Sequence, residues 1–293
     1  MSAGTIELVV HSRLRDLGDG FHVRRSLPVA ARRTVGPFIF FDHFGPLQLP
    51  PGRGLDVRPH PHIGLATVTY LLEGEIVHRD SLGSRQVISP GDVNWMTAGR
   101  GIVHSERSDD GARARGPQLH GLQLWVALPV VHEEDAPSFD HYPVAALPTL
   151  EGEGVKLRVI AGQAYGQSSP VRVLSPLFYV DAQLGNGAAL MLPDDHAERA
   201  LYVIDGAVRT DGVTLQAGEL AIFKPDALAS VEAPAGARLA LLGGAALDGP
   251  RHIEWNFVSS RPERIARAKD DWRQRRFPVV PGDEVEFIPL PES

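Results

Sequence analysis

Two short pairs of side chains, at the two ends of residues 58–107, constrain this sequence more than any other feature. His60 and His62 open the segment, and His104 and Glu106 close it. Each pair has i, i+2 spacing, and side chains two residues apart on a β-strand point to the same face of a sheet. Two such strands, side by side with these faces inward, would bring three imidazoles and one carboxylate to one point. The pattern therefore predicts a metal site on paired strands.

The chemical types of the predicted ligands limit which metal ions the site can bind. Three nitrogens and one oxygen exclude iron–sulfur clusters and cysteine–zinc sites, and the sequence contains no cysteine. Imidazole suits Fe, Ni, Cu and Zn, and a carboxylate also admits Mn. Four protein ligands in a tetrahedron would make a structural zinc site, whereas the same four around an octahedral metal leave two positions for water, dioxygen or substrate. We take one mononuclear Fe2+ as the first choice, with Mn2+, Ni2+, Cu2+ and Zn2+ as alternatives.

The surrounding sequence has the pattern of β-strands. Short strands are predicted at 5–10 and 21–27, separated by a turn at 18–20. Residues 67–72 are rich in β-branched side chains, and 117–129 alternate between two faces. A proline before each histidine of the first pair favours an extended backbone there.

The second half of the chain resembles a diverged copy of the first. Residues 69–74 have a counterpart in 201–206, and the turn at 90–92 has one in 217–219. Counting from these markers aligns the predicted ligands with residues of the second half that do not repeat the histidines. His60 and His62 align with Leu192 and Asp194, and His104 aligns with Val231. The repeat predicts two β-barrels in tandem and one metal.

Residues 129–150 and the C-terminus interrupt the strand pattern. The first stretch is rich in proline and acidic residues and is predicted to be an interdomain connection. A helix is predicted at 260–276, with Ser260 as its N-cap and Glu263 as the capping-box partner. The helical spacing of Ile265, Ala268 and Trp272 predicts that they pack inward. The tail at 277–292 is expected to return as a strand.

The two segments around the ligand pairs resemble the metal-binding half of the pirin family, within the cupin superfamily. They are PHPHIGLATVTYLLEG (59–74) and SPGDVNWMTAGRGIVHSE (89–106). Other cupins usually place the glutamate shortly after the first histidine pair, whereas here, as in pirins, the carboxylate comes two residues after the last histidine. The resemblance implies that His60, His62, His104 and Glu106 are iron ligands.

The resemblance covers nearly the whole chain and implies an all-β bicupin. This fold has two tandem antiparallel β-barrels of the double-stranded β-helix or jelly-roll type, here with a short C-terminal helix. We assign the metal-binding N-terminal barrel to residues 1–136. Residues 137–293 then form a C-terminal barrel without metal ligands, together with the helix at 260–276 and the tail.

Net charge and hydropathy restrict the partners. A net charge of −7 and a sequence pI of about 5.9 argue against direct binding to nucleic acid, whose binding proteins carry basic surfaces. We find no secretory signal and no apolar run of membrane-spanning length. A cytoplasmic protein is the simplest prediction.

The resemblance suggests two main functions. Some pirins resemble quercetinases, so the first hypothesis is an iron-dependent dioxygenase that cleaves quercetin-type flavonols or related phenolics with O2. Glu106 would then be both a ligand and the base that takes a hydroxyl proton from substrate. The alternative is an iron- and redox-responsive regulator that binds a transcription factor or a metabolic enzyme. A metal-stabilised barrel of unrelated use is a third hypothesis.

Two further histidines are candidates for lining the cavity near the metal. His43 ends an apolar run bounded by Gly-Pro pairs, and His120 precedes the alternating strand at 122–127. The alternatives are a hydrogen-bonded histidine at a strand end for His43 and a core position for His120. Neither residue is counted as a ligand.

Overall fold

The computed structural model describes residues 4–16 and 21–291, and strands are its predominant secondary structure. The all-β class is therefore confirmed, whereas the turn predicted at 18–20 lies outside the described residues. The strands are β1 (Ile6–His11), β2 (Arg13–Asp16), β3 (His22–Leu27), β4 (Phe38–Gln48), β5 (Asp56–His62), β6 (Leu65–Glu73), β7 (Ile76–Asp80), β8 (Arg85–Ile88), β9 (Val93–Thr97), β10 (Ile102–Arg107), β11 (Gln118–Ala127), β12 (Ser138–Tyr142), β13 (Thr149–Gly152), β14 (Val155–Ala164), β15 (Gln167–Ser168), β16 (Leu177–Leu184), β17 (Ala188–Met191), β18 (Glu198–Thr210), β19 (Val213–Gln216), β20 (Glu219–Phe223), β21 (Ser230–Ala233), β22 (Ala237–Gly244), β23 (His252–Glu254) and β24 (Phe257–Ser259). The helices are α1 (Asp110–Arg115) and α2 (Pro262–Arg273), with 3-10 turns at Val130–His132 and Val144–Ala146.

The chain forms two compact units, and each unit is assembled from two separate stretches. Unit 1 comprises the described residues up to His43 together with Ala145–Ala246, and unit 2 comprises Phe44–Val144 together with the described residues from Leu247 onward. The sequence predicts contiguous domains at 1–136 and 137–293, so both terminal stretches group differently from this expectation. The physical reason is strand pairing at one end and apolar packing at the other. β1 pairs with β20 in unit 1, and α2 packs on Ile63 and Val103 in unit 2.

Unit 2 carries the ligand pairs on one of its two larger sheets. That sheet has the order β5-β10-β7-β8, and the other contains β12-β9-β6-β11 followed by the second half of β4. In the antiparallel pair of β5 and β10, His104 lies opposite His60 and Ile102 lies opposite His62. The register shifts between His104 and Glu106, which marks a β-bulge or a similar irregularity just before the carboxylate.

The stretch at 129–150 does more than connect two domains. Within it, β12 pairs with β9 and so extends a sheet of unit 2. Glu133 is buried because its carboxylate accepts hydrogen bonds from Ser259 and Ser260 and forms an ion pair of 2.8 Å with Arg251. This stretch therefore contributes a strand and a buried ion pair to unit 2 in addition to the predicted connection, and the boundary between the two units falls within it, at Val144/Ala145.

The C-terminal helix is shorter than predicted, and its N-cap is different. Arg261 occupies the N-cap position without a side-chain capping bond. Ser260 lies one residue before the N-cap, and its hydroxyl donates to Glu133 at 2.9 Å. The inward packing of Ile265, Ala268 and Trp272 is confirmed, since all three are buried in one cluster.

The tail after α2 does not form a strand within its described residues, so that prediction is wrong. Prolines recur along it, at 278, 281, 289 and 291, and they remove the backbone donors that a paired strand needs. The tail is held instead by ion pairs of Arg107 with Asp283 and Glu286 and by two hydrogen bonds at Ile288. Ile288 donates its backbone N–H to the carbonyl of Pro59 at 2.9 Å, and Trp272 donates its indole N–H to the carbonyl of Ile288 at 3.0 Å.

Unit 1 repeats the strand pairing of unit 2 around an apolar core. β17 pairs with β21 as β5 pairs with β10, and Leu190 lies opposite Val231. The position equivalent to His60 is therefore Leu190, and Leu192 is equivalent to His62. Aligning Gly74 with Gly206 places His60 opposite Leu192, which is wrong by two residues. The reason is that unit 1 has two more residues between Leu190 and Gly206 than unit 2 has between His60 and Gly74.

Among the described residues, we find no helix long and apolar enough to span a membrane.

Candidate metal centre

Three of the four predicted ligands converge in unit 2. His60 and His62 come from β5 and His104 from β10, and all three side chains are buried. Nε2 of His62 lies 3.1 Å from Nε2 of His104, and each of the three residues offers a ring nitrogen within 4.8 Å of the others. The ring centroids are 4.4 Å to 5.0 Å apart. The i, i+2 spacing on β5 and the register with β10 produce this convergence.

The hydrogen bonds of the rings favour free lone pairs at the centre of the group. Nδ1 of His60 lies 2.9 Å from the carbonyl oxygen of Arg58, and this contact requires a proton on Nδ1. Nε2 of His60 is then an unprotonated ligand atom, which is the usual arrangement for metal-binding histidines. Nδ1 of His62 and Nδ1 of His104 have no hydrogen-bond partner of normal geometry among the described residues, although the backbone of Asn256 is close enough to His62 to raise its pKa slightly.

Burial keeps the three imidazoles neutral. The pKa of His60 is lowered to about 4, mainly by burial and to a smaller extent by the neighbouring His78, against the opposing bond to the backbone of Arg58. Burial is also the main cause of the low pKa values of His62 and His104, followed by repulsion from neighbouring histidines. A metal ligand must be unprotonated, so all three groups are ready to bind a cation at neutral pH. Their donor set fits a divalent transition metal.

Glu106 is near this group but is not part of it. Its half-buried carboxylate is outside the set of mutually close ligand atoms, and Oε1 lies 3.1 Å from the hydroxyl of Thr69. The same hydroxyl lies 2.8 Å from the side-chain oxygen of Gln123 as placed, and one hydroxyl proton cannot serve both contacts. Exchanging the amide O and N of Gln123 lets it donate to Thr69, which then donates to Glu106. Burial raises the pKa of Glu106, whereas His78 and the Thr69 bond oppose that rise.

The two other candidate histidines lie elsewhere. His43 belongs to unit 1, where its Nδ1 is 2.8 Å from the hydroxyl of Tyr202. His120 is half-buried on β11 and lies opposite Glu73 in the register with β6. Neither histidine is in the group of three, so a pocket-lining role for them stays a prediction.

The sequence reasoning missed a second buried pair beside the histidines. His78 and Asp80 lie on β7, and Nε2 of His78 is 3.0 Å from Oδ2 of Asp80. Burial works against the charge of Asp80, but bonds from His78 and the backbone of Ser84 hold its pKa below the usual value. The signal was available, because His78 and Asp80 have the same i, i+2 spacing as the ligand pairs and lie in the same segment.

Comparison with known proteins identifies the family. The pirin family model matches residues 20–126, and the model of the pirin C-terminal cupin domain matches residues 179–278. The chain belongs to the pirin family. Its two matched domains confirm the predicted bicupin architecture, and this pirin has, in its buried histidine group, a site suited to one divalent metal.

Relatives of this pirin cover nearly its whole length. A pirin-like protein of Caulobacter vibrioides is 51% identical over 98% of this chain and 100% of its own. A Pseudomonas aeruginosa protein, provisionally named as a quercetin 2,3-dioxygenase, is 39% identical over 96% of this chain and 90% of its own. The crystal structure of quercetin 2,3-dioxygenase from Acinetobacter baumannii has a TM-score of 0.91 and 35% identity, covering 98% of this chain and 95% of that one.

Proposed function

We propose that this pirin is an iron-dependent dioxygenase that cleaves quercetin-type flavonols or related phenolics with O2. The observation that carries the proposal is the convergence of three buried, neutral imidazoles on one point. The likeness to the Acinetobacter quercetin 2,3-dioxygenase supports this choice of substrate class. His60, His62 and His104 would hold the metal, and Glu106 would be the fourth ligand. When bound, the metal would supply Lewis acidity and a redox-active contact for a phenolate and dioxygen.

The side chains around the three histidines determine how far bulk water is excluded and whether a proton acceptor is nearby. The ring of Trp125 lies edge-on to His62, with centroids 5.3 Å apart, and provides an aromatic wall beside the histidines. Met96 and Ile102 belong to one buried apolar cluster of the same unit and, in this proposal, limit the access of bulk water. A phenolic hydroxyl that loses its proton in such surroundings needs a nearby base, since water is a poor acceptor there.

Glu106 is that base in this proposal. Burial raises its pKa above the usual value, which makes the carboxylate a better proton acceptor, although a bound metal would reduce its basicity. The hydrogen bond from Thr69 fixes Oε1 and leaves the other carboxylate oxygen to receive the substrate proton. Proton transfer from a flavonol hydroxyl to Glu106 gives the flavonolate that reacts with dioxygen.

An oxygen-electrode assay tests the proposal. The purified protein is stripped with a chelator, divided, reloaded with Fe2+, Mn2+, Ni2+, Cu2+ or Zn2+, and mixed with quercetin. Oxygen uptake in at least one loaded sample, with none in the stripped sample, is expected. Glu106→Gln should retain metal and lose most of the uptake. Metal binding without uptake by any loaded form would contradict the dioxygenase and favour the regulatory alternative.

A further inference from the structure

His78 is fixed on two sides within unit 2. Its Nε2 is bound to Asp80, whose other carboxylate oxygen accepts the backbone N–H groups of Leu82 at 2.9 Å and Ser84 at 3.1 Å. The imidazole also stacks on Phe139, with ring centroids 4.1 Å apart and an angle of 8° between the planes. The hydrogen bond and the stack together leave the ring little freedom to rotate.

His104 lacks the support that His60 has. The ring of His60 is oriented by the bond from Nδ1 to Arg58, whereas Nδ1 of His104 has no hydrogen-bond partner among the described residues. Packing must therefore set the orientation of the His104 ring. One of the rings that contact it is His78, at a centroid distance of 5.3 Å and an angle of 45°.

Unit 1 shows what replaces this pair where the ligands are absent. β10 pairs with β7 as β21 pairs with the end of β18, with Ser105 opposite Arg79 and Glu232 opposite Arg209. These registers make Val208 equivalent to His78 and Thr210 equivalent to Asp80. The buried His–Asp pair thus accompanies the ligand group and is lost together with it.

We propose that His78 is a positioning residue for His104: its ring, held by Asp80 and Phe139, sets the plane of the His104 imidazole so that Nε2 points to the metal. The inference rests on the proposed metal-dependent function. His78 itself is not a ligand, because it is outside the group of mutually close ring nitrogens. Mutation of a residue that orients a metal ligand typically lowers metal affinity by about 10- to 100-fold.

Two variants separate the ring of His78 from its hydrogen bond. His78→Gln keeps an N–H donor for Asp80 and removes the ring, whereas His78→Phe keeps the ring and removes the donor. Co2+ affinity is measured by chelator competition, and the visible absorption of bound Co2+ reports the ligand geometry. We expect His78→Gln to bind Co2+ about tenfold more weakly with a changed spectrum. His78→Phe should keep the affinity and spectrum close to wild type but unfold at a lower temperature, since it leaves the Asp80 carboxylate short of a partner.

Two reference variants complete the experiment. His132→Gln alters an exposed His–Asp pair, in which Nδ1 lies 2.7 Å from Oδ2 of Asp135, and should change neither affinity nor spectrum. His104→Ala gives the signal for loss of a ligand. Wild-type behaviour of His78→Gln, or an equal or larger loss in His78→Phe, would overturn the proposal. A wild-type protein that binds no Co2+ would contradict the metal centre and this inference together, whereas a Co2+-binding protein without flavonol cleavage would contradict the dioxygenase alone.

Discussion

Unit 1 and unit 2 use the same strand pairing to enclose opposite kinds of interior. In unit 2, β10 lies between β5 and β7 and carries His104 opposite His60. In unit 1, β21 pairs with β17 and β18 and carries Val231 opposite Leu190. The backbone arrangement is shared, so the difference lies in the side chains.

The side chains at equivalent positions of the two units differ mainly in polarity, with the polar residues in unit 2. Except for Asp80, which is equivalent to Thr210, the polar residues compared below have apolar equivalents by strand register, and these equivalents belong to one buried cluster in unit 1. In the order His60, His62, Thr69, His78, His104, Glu106 and Gln123, the equivalents are Leu190, Leu192, Leu201, Val208, Val231, Ala233 and Leu241.

The comparison shows that this barrel does not need polar side chains at these positions to fold. Burying polar groups without complete hydrogen bonding costs free energy, and unit 2 carries unsatisfied ring nitrogens at His62 and His104. Residues that work against stability in this way are typical of functional sites. The polar interior of unit 2 is therefore best explained by its chemistry.

The largest effect is expected when unit 2 is given a side chain of unit 1 at a ligand position. His104→Val copies Val231 and removes one imidazole from the centre. We expect affinity for Fe2+ or Co2+ to fall at least about a hundredfold, or roughly 2.7 kcal/mol. The metal-free variant should be as stable as the wild type or more stable, because a buried unpaired nitrogen is lost. Chelator competition and calorimetric unfolding measure the two quantities, and an affinity within tenfold of wild type would refute a ligand role for His104.

Acid should destabilise unit 2 through its histidines. In the unfolded chain His60 has an ordinary pKa near 6.5, whereas burial lowers its folded pKa to about 4. Between these values the unfolded state binds more protons, so stability is complete above about pH 6.5 and is lost as the pH falls toward 4. For His60 alone the loss is on the order of 3 kcal/mol. Urea unfolding of the metal-free protein at pH 7 and pH 4.5 measures it. His60→Leu should show a smaller pH dependence than wild type, and an unchanged one would contradict the assignment.

Local spacing in the sequence was sufficient to predict much of the candidate site. Side chains alternate between the two faces of a strand, so the i, i+2 spacing placed His60 and His62 on one face. The turn at 90–92 was the marker from which the residue equivalent to His104 was counted in the second half. The predicted loss of ligands from the second half is consistent with the leucine and valine residues that strand register places at the positions of the three histidines. These features depend on neighbours in sequence and on strand geometry alone.

Features that depend on tertiary partners were not predictable in the same way. The extra residue on β5 between Val57 and His60 shifts the register opposite Glu106, and the Thr69 bond holds its carboxylate; neither follows from the spacing. The grouping of β1 with unit 1 and of α2 with unit 2 results from long-range pairing and packing. Ser260 has the sequence of a helix N-cap, but in the structure the helix starts one residue later and the hydroxyl of Ser260 is bound to the buried carboxylate of Glu133.

The reverse substitution should destabilise unit 1. Leu190→His places an imidazole in an apolar cluster that offers it no other ligand and no designed hydrogen bond. We expect a loss of about 2–4 kcal/mol in the free energy of unfolding and no gain of metal binding. Leu14→His is the control, since Leu14 is 67% exposed and its replacement should change stability by less than about 0.5 kcal/mol. Equal stabilities of the two variants would show that the core of unit 1 tolerates polar groups, and the contrast between the units would lose its energetic basis.

The smallest effect concerns Thr69, which is equivalent to Leu201 in unit 1. Thr69→Val keeps the shape of the side chain and removes the hydroxyl that donates to Glu106. That bond lowers the pKa of the carboxyl, so its loss should move the acidic limb of the kcat/KM profile for flavonol cleavage to higher pH. A neutral donor is worth about 1 kcal/mol, which limits the movement to under about one pH unit. Thr210→Val, at a buried threonine of unit 1, should leave the limb in place. An acidic limb that stays fixed or moves to lower pH in Thr69→Val would exclude Glu106 as the group whose ionisation controls turnover.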